Sequence, residues 1–245
     1  MRLDKFLAES GIGTRRNVRN YIKDEMVKVN GEIISEPAID IKENTDVIEY
    51  LDKEVKYKGK VYYMFNKPKG CITARTDKIH KTVFDYFYKE NMNGIFHVGR
   101  LDKDTEGLLL FTNDGEFEHN LMSPDNHVEK KYYFSALGSL DENDIKKLEN
   151  GVLIINSKVL TKPAKVEILK NEVYENDSEN YKQKVVSGYI TISEGRKHQV
   201  KRMLKAVGCF VVYLKRISIG NLLLDETLKE GEYRFLTEDE IKMLS

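Results

Sequence analysis

The chain is poor in cysteine, in long apolar runs and in net charge, and each shortage excludes a class of protein. Its 245 residues include two cysteines, Cys71 and Cys209, too few for a disulfide framework or a zinc-finger ligand set but compatible with a reducing cytoplasm. No apolar run approaches the ~20 residues that span a bilayer, and the N-terminus MRLDKFLAES is charged where a signal peptide is apolar. Forty basic residues balance forty acidic ones, so the overall charge predicts no partner. We expect a cytoplasmic protein without membrane contact, and a monomer because no sizeable apolar stripe is evident.

Motifs of nucleotide, metal and serine-hydrolase sites are also missing. The sequence has no G-x-x-x-x-G-K-[ST], no G-x-G-x-x-G, no H-E-x-x-H or H-x-x-E-H and no G-x-S-x-G. Its five histidines therefore predict no metal site, and its cysteines are expected to pack as small apolar side chains. We predict no cofactor and no metal.

What is present indicates a folded chain of two unequal parts. Apolar residues make up 40%, with 14 Tyr and 10 Phe, which is enough to bury a core. Residues 1–30 contain seven basic and four acidic residues, whereas residues 31–54 contain two basic and eight acidic residues. A strongly apolar strand pattern then begins at Val61. We predict a small domain at residues 1–57 and a larger one at residues 58–245.

The first part predicts two helices and a small sheet. Leu3, Phe6 and Leu7 have helical spacing, and Thr14 is a candidate N-cap for a second helix. An Asn30-Gly31 pair lies between two short segments in which apolar and polar residues alternate, which predicts a β-hairpin. The inner face of the second helix is expected to hold Val18, Ile22 and Met26, while cations form an exposed stripe one helical turn apart: Arg15, Arg19 and Lys23, with Arg16 beside them.

The second part predicts an α+β domain, because strands outnumber helices and many follow one another directly. We expect a mixed, mostly antiparallel sheet with flanking helices and a solvated hairpin loop at residues 170–184. The predicted strands are 61–66, 107–112, 131–136, 152–155, 164–169 and 185–193. The predicted helices are 83–89, 116–122, 141–149 and 198–206, with two short ones near the end, the last capped by Thr237.

Two segments have the composition of a functional site. In HVGRLDKDTEGLLLFTNDG (97–115), acidic and basic side chains crowd a loop before an apolar strand, which suits an active site but equally a surface loop with ion pairs. In ISEGRKHQVKRMLKAVG (192–208), five cations at the start of a helix suit phosphates, with a solvated basic face as the alternative.

NKPKG (66–70) is a weak turn signal. VEKKYYF (128–134) places Lys130 and Tyr132 on one strand face, where the tyrosine could stack on a base or belong to the core.

Together these segments resemble motifs of the pseudouridine synthases, in the branch of RsuA, RluB, RluE and RluF. The segment 97–115 is similar to the motif G-R-L-D-x-x-T-x-G-L-L-L-x-T-x-D-G, NKPKG to the first motif of the branch, EKKYYF to its K-x-Y motif, and EGRKHQVKRMLKAVG to its third. Residues 1–50 resemble an S4 domain, the RNA-binding module of these enzymes. HQVKRM, VLTKPAKVEIL and MRLDKFLA are most similar to the member that modifies small-subunit ribosomal RNA.

The resemblance implies roles for three residues. Asp102 corresponds to the catalytic aspartate, and Tyr132 to the tyrosine that packs on the target base. Lys201 falls where many pseudouridine synthases have an arginine that pairs with the aspartate, although lysine is usual in the small-subunit branch. Lysine offers a point charge instead of a bidentate fork, yet a cation within ~4–6 Å still favours an ionised carboxylate.

The implied function is the isomerisation of one uridine of small-subunit (16S) ribosomal RNA to pseudouridine, without a cofactor. The expected target is the uridine-516 site. Asp102 would attack C1′ or C6 or assist deprotonation of the sugar. The target base has to be flipped out or already unpaired, and Arg100 is expected to fill the gap. The partner is ribosomal RNA or a partly assembled small subunit. Contacts to the RNA are expected from Arg15, Arg16, Arg19, Lys23, Lys67, Lys130, Arg196, Lys197 and Arg202.

Three other functions are open at this point. The first is a pseudouridine synthase for large-subunit (23S) ribosomal RNA. The second is a non-catalytic ribosome-assembly factor, which would need the basic surfaces but not the pair of Asp102 and Lys201. The third is a glycosidase-like hydrolase with Asp102 and Asp104 as paired carboxylates.

Overall fold

A computed structural model describes residues 1–57, 59–176 and 181–244. Residues 1–57 contain two helices and a four-stranded sheet of order β2-β1-β3-β4. Helix α1 spans Leu3–Glu9 and α2 spans Arg15–Lys23; the strands are β1 (Val27–Val29), β2 (Glu32–Ile33), β3 (Ile48–Tyr50) and β4 (Lys53–Glu54).

The sequence signals of this first part are largely confirmed. Thr14 caps α2 by accepting a hydrogen bond from the Asn17 amide at 3.2 Å. Asn30 and Gly31 both have positive φ angles, as a tight two-residue hairpin turn requires. Leu3, Val18 and Ile22 are buried in a shared core. Met26 was predicted on the inner face of α2 but lies beyond the end of the helix and is exposed.

The remaining residues build a nine-stranded sheet of order β13-β5-β7-β11-β8-β10-β9, with β12 paired to β11 and β6 paired to β7. The strands are β5 (Tyr62–Lys67), β6 (Phe96–Val98), β7 (Glu106–Thr112), β8 (Lys130–Leu137), β9 (Lys165–Asn176), β10 (Tyr181–Ile192), β11 (Phe210–Ile219), β12 (Leu222–Leu223) and β13 (Tyr233–Phe235). The helices are α3 (Gly115–Met122), α4 (Glu142–Asn150), α5 (Gln199–Ala206) and α6 (Glu238–Lys242), and 3₁₀ turns span Val83–Tyr86 and Pro124–Asn126.

The α+β class and the mostly antiparallel sheet are confirmed. Among the described strands, β7 and β11 form the parallel pair and the other pairings are antiparallel. Gly107 is needed where these two strands meet, because its φ is +99° and a Cβ there would lie 2.2 Å from the Arg216 carbonyl oxygen. Apolar side chains fill both faces of the sheet around β5 and β7.

Four secondary-structure predictions were wrong. Residues 152–155 form no strand. Buried and exposed side chains alternate there because Val152 and Ile154 reach the core. The backbone of Val152 is hydrogen-bonded to Thr161, which lies in no strand. The segment 170–184 is mostly strand, since β9 and β10 continue through it, and residues 177–180 lie outside the described residues. The helix predicted from residue 83 is a 3₁₀ turn. In the described C-terminal residues, one short helix, α6, is present, capped by Thr237 as predicted.

The two parts of the chain are in contact. The Asn113 side chain donates hydrogen bonds to the carbonyl oxygens of Glu9 at 3.3 Å and Gly59 at 2.9 Å. The boundary between residues 57 and 58 stays a prediction, and residue 58 is not described. In the part of the chain that is described, no helix has the length and apolarity needed to cross a bilayer.

Candidate active site

A cleft opens where the loop before β7, the inner face of β8 and the start of α5 meet. The loop brings Arg100, Asp102 and Thr105, β8 brings Tyr132, and the segment leading into α5 brings His198. The cavity has a volume of about 80 Å³. Its other lining residues are Leu101, Ile192, Gly195, Arg196, Gln199, Val200 and Leu214. Segments far apart in the sequence are therefore assembled around one carboxylate.

Asp102 is held between two nitrogen groups. Lys201 Nζ lies 3.2 Å from Oδ2, and His198 Nε2 lies 3.5 Å from Oδ1. The Asp102 side chain is 25% exposed, so it faces the cleft while its Oδ2 contacts Lys201. The predicted proximity of Asp102 and Lys201 is confirmed.

Asp104 also binds Lys201, a contact that the sequence did not predict. Burial alone would raise the pKa of Asp104, but the hydrogen bond and the positive charge of Lys201 lower it below its ordinary value. Lys201 therefore lies between two carboxylates. The signal available in the sequence was the D-x-D spacing, which we assigned to a hydrolase instead.

Tyr132 projects into the cleft because β8 alternates between the two faces of the sheet. Buried and partly exposed residues alternate along the strand, and Tyr132 and Phe134 point into the core while Tyr133 points away. Tyr132 is only 9% exposed yet lines the cavity beside Asp102. The ring can therefore present a surface to a planar ligand without being free to move.

The NKPKG segment supports the loop that carries Asp102. Lys67 Nζ donates to the carbonyl oxygens of Thr105 at 2.9 Å and Lys103 at 3.5 Å, and the Gly70 amide donates to Lys103 at 2.7 Å. Thr73 shares two hydrogen bonds with the backbone of Leu101. The loop is thus fixed on both sides of Asp102.

Lys67 was predicted to contact RNA, and this was wrong. Its side chain is fully buried, and burial lowers its pKa despite the nearby carboxylates of Asp102 and Asp104. The ammonium holds backbone carbonyls and is closed off from a phosphate.

Lys130 was likewise predicted to contact RNA and does not reach the surface. It is 6% exposed, and its Nζ donates to the Leu121 carbonyl oxygen at 3.0 Å. Burial, with a smaller effect of the neighbouring Arg216, lowers the pKa of Lys130 to about 8. Lys130 joins β8 to the end of α3.

Arg196 is engaged within the protein, contrary to its predicted role at phosphates. Its Nε donates to Glu194 at 3.0 Å, and its other nitrogens reach the carbonyl oxygens of Val159 and Leu160. Glu194 matches its charge. Lys197 and Arg100 are exposed, and Arg202 is half-buried, so these three remain available to RNA.

The cations of α2 are exposed as predicted, but one is neutralised. Arg19 Nε lies 2.8 Å from the carboxylate of Asp4, which is fully buried and also binds Arg2 at 3.0 Å. Burial raises the pKa of Asp4, but Arg19 and Arg2 outweigh it, so the pKa falls below its ordinary value. Arg15, Arg16 and Lys23 are the exposed cations of this helix that remain.

Comparison with known proteins places this site in a family. The RNA pseudouridylate synthase family model matches residues 61–206, and the S4 domain model matches residues 1–47. The first match covers more than half of the chain and includes Asp102, Tyr132 and Lys201. The match defines the class of protein, an RNA-modifying isomerase with a small RNA-binding S4 domain. The chain belongs to the RNA pseudouridylate synthase family, which confirms the resemblance found in its motifs.

Relatives match over the whole length. An uncharacterized RNA pseudouridine synthase of Bacillus subtilis is 45% identical over 100% of this chain and 98% of its own length. The ribosomal small subunit pseudouridine synthase A of Haemophilus influenzae is 40% identical over 100% of this chain and 99% of its own length. The protein of the same name from Escherichia coli is 39% identical over 98% of this chain and 98% of its own length. A crystal structure of a pseudouridylate synthase has a TM-score of 0.68, with 39% identity and both chains fully covered.

Proposed function

We propose that the chain converts one uridine of small-subunit (16S) ribosomal RNA to pseudouridine, at the site equivalent to uridine 516, with Asp102 as the nucleophile. The chemistry rests on one observation, the ion pair of Asp102 and Lys201 in a cleft lined by Tyr132. The choice of target is supported by the full-length similarity to the relatives from H. influenzae and E. coli, whose names specify the small subunit.

The reaction is an internal rearrangement. The N1–C1′ bond breaks, the uracil turns, C5 bonds to C1′, and a proton lost from C5 is balanced by one gained at N1. Substrate and product have the same atoms and electrons, so we propose that no cofactor takes part. What the site has to supply is an electron pair, a wall that retains the detached base and a place for the proton.

The described residues can divide these tasks. Asp102 supplies the electron pair, and Lys201 orients the carboxylate through their ion pair. Tyr132 stacks on the uracil, and its fixed ring keeps the detached base from escaping. Lys67, Gly70 and Thr73 keep the loop rigid, so that Asp102 need not be reordered when RNA binds.

Access to the target requires a flipped or unpaired nucleotide, and unstacking costs a few kcal/mol. Arg100 is exposed at the edge of the cleft, where its side chain can occupy the space left by the base. Lys197 and Arg202 near α5, together with Arg15, Arg16 and Lys23 on α2, bind phosphates. Contacts from two domains raise the effective concentration of RNA at the cleft, while RNA shape selects the target.

We extend the proposal to the setting of the reaction. The enzyme acts as a monomer in the cytoplasm, on ribosomal RNA or a partly assembled small subunit. A hydrolase is less well supported, because Asp102 and Asp104 bind the same ammonium and so form one anionic centre instead of an acid and a base on opposite faces of a sugar.

Carbodiimide mapping of pseudouridine on ribosomal RNA tests the proposal. Cells lacking the gene should lose one signal in 16S RNA, and the wild-type gene but not Asp102→Asn should restore it. A signal lost from 23S RNA would move the target to the large subunit. An unchanged map in the deletion strain would support a binding or assembly role instead.

A further inference from the structure

His198 lines the cleft but has no role in the assignments above. Its Nε2 lies 3.5 Å from Oδ1 of Asp102, the oxygen not bound by Lys201. Its side chain is 51% exposed, whereas Tyr132 in the same cavity is buried. A base bound against Tyr132 would therefore meet an accessible imidazole beside the nucleophile.

The position of His198 is fixed by its backbone. His198 is the N-cap of α5 and has a φ of +52°, in the left-handed region that residues other than glycine rarely adopt. Its side chain caps no helix amide, so helix capping does not account for the conformation. Unusual backbone geometry of this kind is concentrated at functional sites.

A hydrogen-bonded frame holds this conformation in place. Buried Gln199 donates from Nε2 to Glu194 at 2.7 Å and accepts from the Arg196 amide at 2.8 Å. Glu194 in turn accepts from the Lys162 amide at 2.9 Å. The residues on both sides of His198 are thus anchored, while its ring stays free in the cleft.

The reaction contains a proton transfer that neither the ion pair of Asp102 and Lys201 nor stacking on Tyr132 performs. The Tyr132 hydroxyl could relay this proton, but Tyr132 is only 9% exposed and meets little water, whereas the His198 side chain is 51% exposed. When C5 bonds to C1′ it becomes tetrahedral and keeps its hydrogen, so a base has to remove that proton. Lys201 is bound by two carboxylates and acts as a cation, and Asp102 is committed to the nucleoside and to Lys201. Histidine is the side chain suited to take up a proton near neutral pH.

We propose that His198 is the general base that removes the C5 proton; this inference rests on the proposed function. The electron pair of the C5–H bond forms the C5=C6 double bond, and the C6=N1 pair moves onto N1. Nε2 takes the proton and passes it to water, and N1 takes a proton from water. One proton leaves and one arrives, with no change in oxidation state.

The charges facing His198 allow this role. The carboxylate of Asp102 lies 3.5 Å from Nε2, where it can stabilise the positive charge that the ring acquires with the proton.

The chain supplies a matched control. His127 also has a left-handed backbone, with a φ of +51°, and pairs with Lys162 outside the cleft. Asparagine tolerates this conformation, so His198→Asn and His127→Asn should both fold. In single-turnover assays, His198→Asn should slow product formation by ~10²–10⁴-fold. RNA affinity should stay unchanged, and His127→Asn should match the wild type.

Two further measurements separate a general base from a structural residue. RNA with uridine deuterated at C5 should show a larger isotope effect with His198→Asn than with the wild type, because C5–H cleavage becomes rate-limiting. His198→Gly, which accepts the positive φ, should regain activity as imidazole is added. A wild-type rate for His198→Asn, or a slow variant with neither isotope effect nor rescue, would overturn the inference. Activity on 23S instead of 16S RNA would refute only the target, since His198 can be tested on either.

Discussion

The Lys201 ammonium lies 3.2 Å from Oδ2 of Asp102, joining the loop before β7 to helix α5. Asp104 contacts the same ammonium, so Lys201 balances two carboxylates with one positive charge. The two carboxylates therefore share one cation, an arrangement that suits attack by Asp102 on an electrophilic carbon.

Asp102→Asn should abolish turnover while leaving RNA binding nearly unchanged, because the amide keeps the shape but cannot supply a carboxylate electron pair. A fall of roughly 10³-fold or more is expected. Tritium release from C5-labelled uridine in 16S RNA measures it. Asp125→Asn, which alters an exposed carboxylate in a 3₁₀ turn, should behave as the wild type. Appreciable turnover by Asp102→Asn would remove this residue from the nucleophile role.

Lys201→Met should slow the chemical step far more than it weakens binding, because the carboxylates of Asp102 and Asp104 would face each other without a counterion. Lys201→Arg should keep part of the rate, since the charge remains while its shape changes. Single-turnover rates and dissociation constants separate the two effects. Lys205→Met, on the exposed surface of the same helix, is the control. A defect confined to affinity would show that Lys201 acts only on RNA.

Replacing Arg15, Arg16 and Lys23 with Gln should flatten the salt dependence of RNA binding. Each phosphate contact contributes roughly 0.7–0.9 to the slope of log K against log salt, so three lost contacts should lower it by about 2–3. The matched control replaces Lys42, Lys53 and Lys56, exposed lysines outside α2. Equal slopes for both triple variants would mean that α2 is only a solvated surface. Arg19 is left in place because its loss would remove one of the two arginines that bind the buried carboxylate of Asp4.

Lys130 should make stability depend on pH in the alkaline range. Its pKa is lowered from 10.5 to about 8 in the folded chain. Between these values the unfolded chain binds more protons, so raising the pH should stabilise the folded state relative to Lys130→Met, by up to roughly 3 kcal/mol. Below pH 8 this contribution is flat. Denaturant unfolding at several pH values measures the difference.

Lys131→Met is the control for Lys130, because Lys131 lies next to it on the outer face of β8 and is partly exposed. Its stability relative to the wild type should show no comparable rise between pH 8 and 10.5. Parallel curves for Lys130→Met and the wild type would mean that the buried ammonium keeps its ordinary affinity for protons.

Local sequence patterns predicted much of the fold. Thr14, Asn30-Gly31 and Thr237 each determine a cap or turn through their own backbone neighbours, so no distant residue was needed. Strand β11 was not predicted, although its β-branched and aromatic residues favour a strand; its central place between β7 and β8 emerges only in the folded sheet. The strand predicted at residues 152–155 was wrong because buried and exposed side chains alternate there as in a strand, but the segment pairs with no strand among the described residues.

The site was predicted in part. Asp102, Tyr132 and Lys201 were paired through the family motifs, since spacing alone could not bring such distant segments together. The burial of Lys67 and Lys130 was missed because lysine is almost never fully buried, and the carbonyl groups that bind these two lysines become neighbours only in the folded chain. No spacing pattern in the sequence pointed to His198. Its proposed role depends on a left-handed backbone conformation and on its position beside Asp102, and both are visible only in the structure.

The parallel pairing of β7 with β11 links catalysis to completion of the fold. The Asp102 loop leads directly into β7 and α5 leads into β11, while Arg216 on β11 donates from Nε to the Leu108 carbonyl oxygen on β7 at 2.7 Å. Contacts between such distant segments form late, after a costly loop closure. A nascent chain that has not yet emerged past β11 already contains Asp102, Tyr132 and Lys201, but lacks the strand pairing that brings their segments together. We expect newly made enzyme to become active only when the sheet closes.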